Sequence, residues 1–132
     1  AGGETRDTIP EVLEMIAMHP DVHAVIYLGI GIQSNQARLL REGGFYPDHG
    51  IDRIVAYHER QDQRFAEAAD ELSKRTGKPI LTATELAVAD PDNPGPATVR
   101  ATGRLCYPSG NRAVAALGHL YRAAEFRARR GM

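Results

Sequence analysis

The chain has 132 residues, 42% hydrophobic and 25% charged, with a formal net charge of -1. These values describe a single soluble globular domain. They exclude a globally disordered chain and argue against a protein built to hold a phosphate backbone. No apolar run reaches the roughly 18 residues that span a bilayer, no signal-peptide pattern is read, and the single Cys106 leaves no intrachain disulfide. The expectation is a cytoplasmic protein that binds neither nucleic acid nor membrane, with Arg127, Arg129 and Arg130 a solvated helix end.

Ala1-Gly2-Gly3 reads as the middle of a loop, which points to a piece of something larger. Thr8-Ile9-Pro10-Glu11 then starts a helix. Thr8 can cap free amides, Glu11 can reach back as in a capping box, and Pro10 is tolerated in the first turn. Val12, Leu13, Ile16 and Ala17 make one face, and the helix should end near His19-Pro20. The apolar run over residues 23–28 reads as a strand buried on both faces, as in a parallel sheet. It leads into Gly29-Ile30-Gly31-Ile32-Gln33-Ser34-Asn35. There Ser34 or Asn35 can cap a second helix that carries Ala37, Leu39 and Leu40 and stops at Gly43-Gly44.

Residues 45–50 read as a loop. A long helix follows over residues 51–76, with the stripe Ile51, Ile54, Val55, His58, Phe65, Ala69 and Leu72 and a stop at Gly77. Residues 78–83 form the next strand. The Asp-, Pro- and Gly-rich stretch over 88–98 reads as a surface loop, with a short helix over 96–102. A third strand covers 104–107 and is closed by Pro108-Ser109-Gly110. The last helix, 111–129, has the inner stripe Ala113, Val114, Leu117, Leu120, Tyr121 and Ala124. Strands alternating with helices imply a three-layer, flavodoxin-like α/β fold: a parallel sheet with helices on both faces. Three strands fall short of the five or six common in doubly wound sheets. The sheet is therefore expected to be incomplete, its other strands supplied upstream or by a partner chain, a second copy included.

The best chemical candidate is the turn holding Gly29, Gly31, Ser34 and Asn35. Its glycines let backbone approach a ligand, and the following helix points unpaired amides at an anion. The plainer reading is a tight strand-to-helix turn, since neither a full dinucleotide fingerprint nor a Walker loop is present. Gly2, Gly3 and Thr5 form a second glycine-bearing loop. No two histidines share a helix face at ligand spacing, so no zinc site is expected. His49 is the one histidine whose loop setting suits catalysis; His58, on the stripe of the long helix, reads as a packed or partly exposed residue, and His119, beside the inner stripe of the last helix, as solvated. Cys106 reads as a small core residue, not a nucleophile.

The order of features resembles a known family. Gly2-Gly3-Glu4-Thr5, a helix, Asp21-Val22-His23-Ala24-Val25-Ile26, a glycine turn, Gly77-Lys78-Pro79-Ile80-Leu81, then Tyr107-Pro108-Ser109 and Arg112-Ala113-Val114 are similar to the C-terminal flavodoxin-like domain of the succinyl-CoA synthetase beta subunit. They look still more like the matching subdomain of ADP-forming acetyl-CoA synthetases and other NDP-forming acyl-CoA synthetases. The resemblance covers nearly the whole chain. It implies a parent acid-thiol ligase that interconverts acid, CoA and ATP with acyl-CoA, ADP and phosphate, through a phosphohistidine on another subdomain. It implies CoA, ATP/ADP and Mg2+ as cofactors of that parent, none bound by this chain alone. CoA-binding and ATP-grasp domains would be its partners. This chain would supply a helix N-terminus facing the phosphoryl group. Gly29, Gly31, Ser34 and Asn35 are carried over as phosphate-side contacts, with Gly2, Gly3 and Thr5 beside them. Ile30 separates glycines that are adjacent in the family, and Gly118-His119 matches the family's Gly-His pair only inside a helix. Two alternatives stand beside it: a regulatory CoA-ligase-like module fused to an acetyltransferase, and an unrelated flavodoxin-like binding domain such as a receiver.

Overall fold

The computed structural model describes residues 8–44 and 48–131, with the side chains of residues 8, 9, 48 and 49 outside the description. Along the chain run α1 (Thr8–Met18), β1 (Val25–Leu28), α2 (Ile32–Glu42), α3 (Asp48–Thr76), β2 (Ile80–Ala83), α4 (Leu86–Ala89), α5 (Pro94–Ala101), β3 (Cys106–Tyr107) and α6 (Gly110–Arg129). The strands form one parallel sheet in the order β1-β2-β3. Val25 lies opposite Ile80 and Leu28 opposite Ala83, while Thr82 lies opposite Cys106. Each parallel step is made by a helical crossover, as parallel pairing requires. The chain is thus an α/β protein with a small parallel sheet flanked by helices, an incomplete flavodoxin-like fold.

The period of two along each strand sorts side chains between two layers. Val25, Tyr27, Ile80 and Cys106 face a core made with Leu13 and Ala17 of α1, Phe65, Ala69 and Leu72 of α3, and Val99 of α5. Ile26, Leu81, Ala83 and Tyr107 face the other way, onto Ala113 and Leu117 of α6. Tyr27 and Phe65 pack ring against ring, with centroids 4.0 Å apart and planes tilted by 34°. The helix α2 packs chiefly on α3. It rests on α3 through Ala37, Ile51 and Val55.

Sheet order decides which strand is buried. All four residues of β2 are buried, but β1 is an edge strand, half-covered, and Leu28 is 63% exposed. β1 packs on both faces, as expected, but less completely: among the described residues it is paired on one side only, and its other side chains are partly buried instead of buried. The buried stripes of the outer helices are also narrower than expected. In α1 the i, i+4 pair Leu13 and Ala17 is buried, whereas Val12 and Ile16 are exposed. In α6 Ala113 is buried and Leu117 partly so, but Val114, beside Ala113 in the first turns, is exposed, and so are Leu120, Tyr121 and Ala124 farther along.

Two loops are also corrected. α3 begins at Asp48, inside the expected loop over 45–50. The expected surface loop over 88–98 contains the end of α4, and α5 starts at Pro94, with Asn93, Pro94, Gly95 and Pro96 buried. Proline fits the first helical turn because its missing N–H would be unpaired there. The capping box expected of Thr8 lies outside the described residues. The other end of α1 is held by Lys78, whose ammonium donates to the carbonyls of Ala17 at 2.6 Å and His19 at 2.9 Å, a cation on the negative end of a helix.

Candidate functional site

The ladder reaches the turn directly. The Gly29 amide donates to the Ala83 carbonyl at 2.8 Å, and the backbone then reverses through Gly29 at φ 93° and Gly31 at φ 90°. Side chains rarely adopt that region. The Ile32 amide returns to the Gly29 carbonyl at 3.2 Å, and the Asn35 amide to the Gly31 carbonyl at 3.0 Å. α2 thus starts at Ile32 with Gly31 as its N-cap, earlier than a cap by Ser34 or Asn35 allows. The positive φ values correct that expectation, since they complete the turn before either side chain is reached.

A crevice of about 600 Å³ opens over the carboxyl ends of the three strands, the usual place for a ligand in an open α/β sheet and a usual size for one. Gly29 and Asn35 line it, with Thr84 and Glu85 after β2 and Ser109 and Gly110 after β3. Leu28, Ile32 and Leu86 give it apolar walls. Ser109 caps α6, its hydroxyl accepting from the Arg112 amide at 3.2 Å.

The other two residues of the expected constellation lie beneath this surface. Ser34 is fully buried and Gly31 is buried. The Gly31 amide donates to Asp62 Oδ1 at 3.3 Å, and the Ser34 hydroxyl makes a short hydrogen bond to Asp62 Oδ2. Asp62 belongs to α3. Burial pushes its carboxyl above the usual range against the opposing pull of these donors, and its charge also raises the Tyr27 phenol, after burial. From the other side Asn93 Nδ2 donates to the Gly31 carbonyl at 3.1 Å, while Asn93 Oδ1 accepts from the Gly95 amide at 2.9 Å. A Cβ on Gly31 would stand 2.4 Å from Asn93 Oδ1, and one on Gly95 would stand 2.9 Å from the Gly31 nitrogen.

Sequence reasoning missed both partners, and each left a signal. Val55, His58, Phe65, Ala69 and Leu72 form a helical stripe whose one missing step is position 62. A carboxylate at a core position calls for a partner. Asn93 before Pro94 has the pattern of an N-cap.

Gly2, Gly3 and Thr5 lie outside the described residues, as does the His49 side chain. His58 packs edge-on against Tyr57, His119 contacts Arg122 on the exposed side of α6, and the His19 Nδ1 accepts from the Asp21 amide. No cluster of three or more His, Cys, Asp or Glu that could hold a metal occurs among the described residues. Burial pushes the Cys106 thiol up, away from the thiolate a nucleophile needs. No helix among the described residues is long and apolar enough to cross a membrane.

The fold and this crevice define an open parallel α/β domain with a ligand-sized opening at its strand ends. Comparison of the chain with family models, curated proteins and solved structures finds no match.

Proposed function

We propose that this chain is the flavodoxin-like subdomain of an NDP-forming acyl-CoA synthetase, and that it supplies helix N-termini, not reacting side chains, to phosphoryl transfer. The observation that carries the reading is the crevice at the strand ends, bordered by the first residues of α2 and α6. Amide dipoles fixed at such a place favour negative charge and need no reorganisation when it develops. In this reading Gly29 and Asn35 are the phosphate-side contacts, and Gly31 and Ser34 set the shape of the turn behind them. The phosphohistidine, CoA, ATP or ADP, and Mg2+ belong to the CoA-binding and ATP-grasp domains. The described residues offer no metal cluster of their own for that Mg2+.

The experiment is to isolate the native polypeptide from its source cell with its associated chains, identify them by mass spectrometry, and assay ATP formation from acyl-CoA, ADP and phosphate. An ATP-grasp region together with that activity supports the reading. A preparation with neither sinks it. The reading also requires the isolated chain to be inactive.

One observation favours a second reading. Glu85 lines the crevice, and a carboxylate there repels a phosphoryl group. A non-catalytic, regulatory module of the same type, fused to an acetyltransferase, tolerates that charge. An acetyltransferase region in the native polypeptide decides for it.

A further inference from the structure

Asp62 is the only buried carboxylate among the described residues, and it lies where a bound anion would. It takes the Gly31 amide and the Ser34 hydroxyl, the kind of donors that a phosphate finds at a helix N-terminus. Gly31, the N-cap, has no side chain to offer them. Without Asp62 these donors would be buried and unpaired, at a penalty for each. Asn93 fixes the Gly31 carbonyl from the opposite side, and Gly95 packs against the Gly31 backbone. The turn is held between α3 and α5.

We infer that Asp62 is the resident anion of α2: it shapes the glycine turn from beneath and withholds Gly31 and Ser34 from any ligand. An anion that enters the crevice then meets only the outer side of the turn, at Gly29 and Asn35. Asp62 is therefore a positioning residue, acting through Gly31. The titratable groups that act on it or respond to it are His58, one turn earlier on α3, and Tyr27 of β1. The statement about the entering anion rests on the anion-receiving reading of the crevice, whereas the role of Asp62 in the turn does not.

The test is an amide NMR titration of the 132-residue chain with inorganic pyrophosphate at neutral pH. Gly29 and Asn35 should shift while Gly31 and Ser34 stay still. Asp62→Ala should lose thermal stability and regain it with formate, which fills the vacated place and moves the Gly31 and Ser34 amides. Formate should leave the wild type unchanged. Where Asp62→Ala is unfolded alone, formate should restore its fold. Movement of Gly31 and Ser34 by pyrophosphate in the wild type overturns the inference, as does an Asp62→Ala protein that formate neither shifts nor stabilises. If pyrophosphate moves no crevice amide at all, the anion-receiving reading fails, and the formate arm still decides the role of Asp62.

Discussion

Asn93 donates from its side-chain amide to the carbonyl of Gly31, a residue 62 positions earlier, at 3.1 Å. The same side chain caps α5 through the Gly95 amide. Asn93→Ala removes an N-cap, worth about 1 kcal/mol, and one of the two hydrogen bonds to the Gly31 carbonyl, which keeps the Asn35 amide, worth about 1 kcal/mol. We expect a loss of about 2 kcal/mol in urea unfolding, the sum of the cap and the lost hydrogen bond. Asn93→Asp keeps the cap but loses the donor, so at neutral pH it should be no milder.

Gly31 and Gly44 separate backbone strain from crowding. Both have positive φ, but a Cβ at Gly44 meets nothing within 4 Å, whereas one at Gly31 meets Asn93 Oδ1 at 2.4 Å. Gly44→Ala should cost about 1 kcal/mol, the price of the left-handed backbone alone. Gly31→Ala should cost about 3 kcal/mol, since a buried group must also move. Equal losses in thermal unfolding would show that the contact carries no weight.

Asp62 makes stability depend on pH with a definite sign. Its folded carboxyl titrates above the ordinary value because of burial, so the folded state holds the proton longer than the unfolded one. That contribution is present at acid pH and is lost as pH rises from the ordinary carboxylate value through the folded one. Asp62→Asn should therefore be more costly, relative to wild type, near the ordinary Asp value than at neutral pH. Asp70 has the opposite sign. Lys74, and after it Arg104, hold its carboxyl below the usual range, so its contribution is lost as pH falls. Paired urea titrations of wild type, Asp62→Asn and Asp70→Asn check both directions.

Lys78 offers a local test. Lys78→Met keeps the aliphatic stem and removes the donor to Ala17 and His19. The expected loss is about 1 kcal/mol, with faster hydrogen exchange in the last turn of α1 and none added in β2. Uniform acceleration across the sheet would contradict the assignment.

In α6 the boundary between packed and unpacked turns is measurable. Leu117→Ala should cost about 2 kcal/mol, toward the low end for a buried leucine because its site is only partly covered. Leu120→Ala, at a side chain that is half-exposed, should stay within about 0.5 kcal/mol. A large loss at Leu120 in the isolated chain would show that α6 is covered by something other than the sheet.

The class of fold, the three strands and the helical stops at Gly43 and Gly77 were legible in the sequence, because hydrophobic period and glycine placement are properties of neighbours in the chain. So were the glycine turn and its place at the end of a strand. Tertiary structure alone decided that β1 is an edge and β2 the centre, since strand order is set by packing across crossovers. It alone narrowed the buried stripes of α1 and α6 to Leu13 and Ala17 and to Ala113 and Leu117. It also turned Ser34 from a helix cap into the partner of Asp62, and put Asn93 in the core instead of on a surface loop. Those two contacts join residues 28 and 62 positions apart. Periodicity marks which side chains must find a buried partner, but only the packing of helix on helix selects the partner.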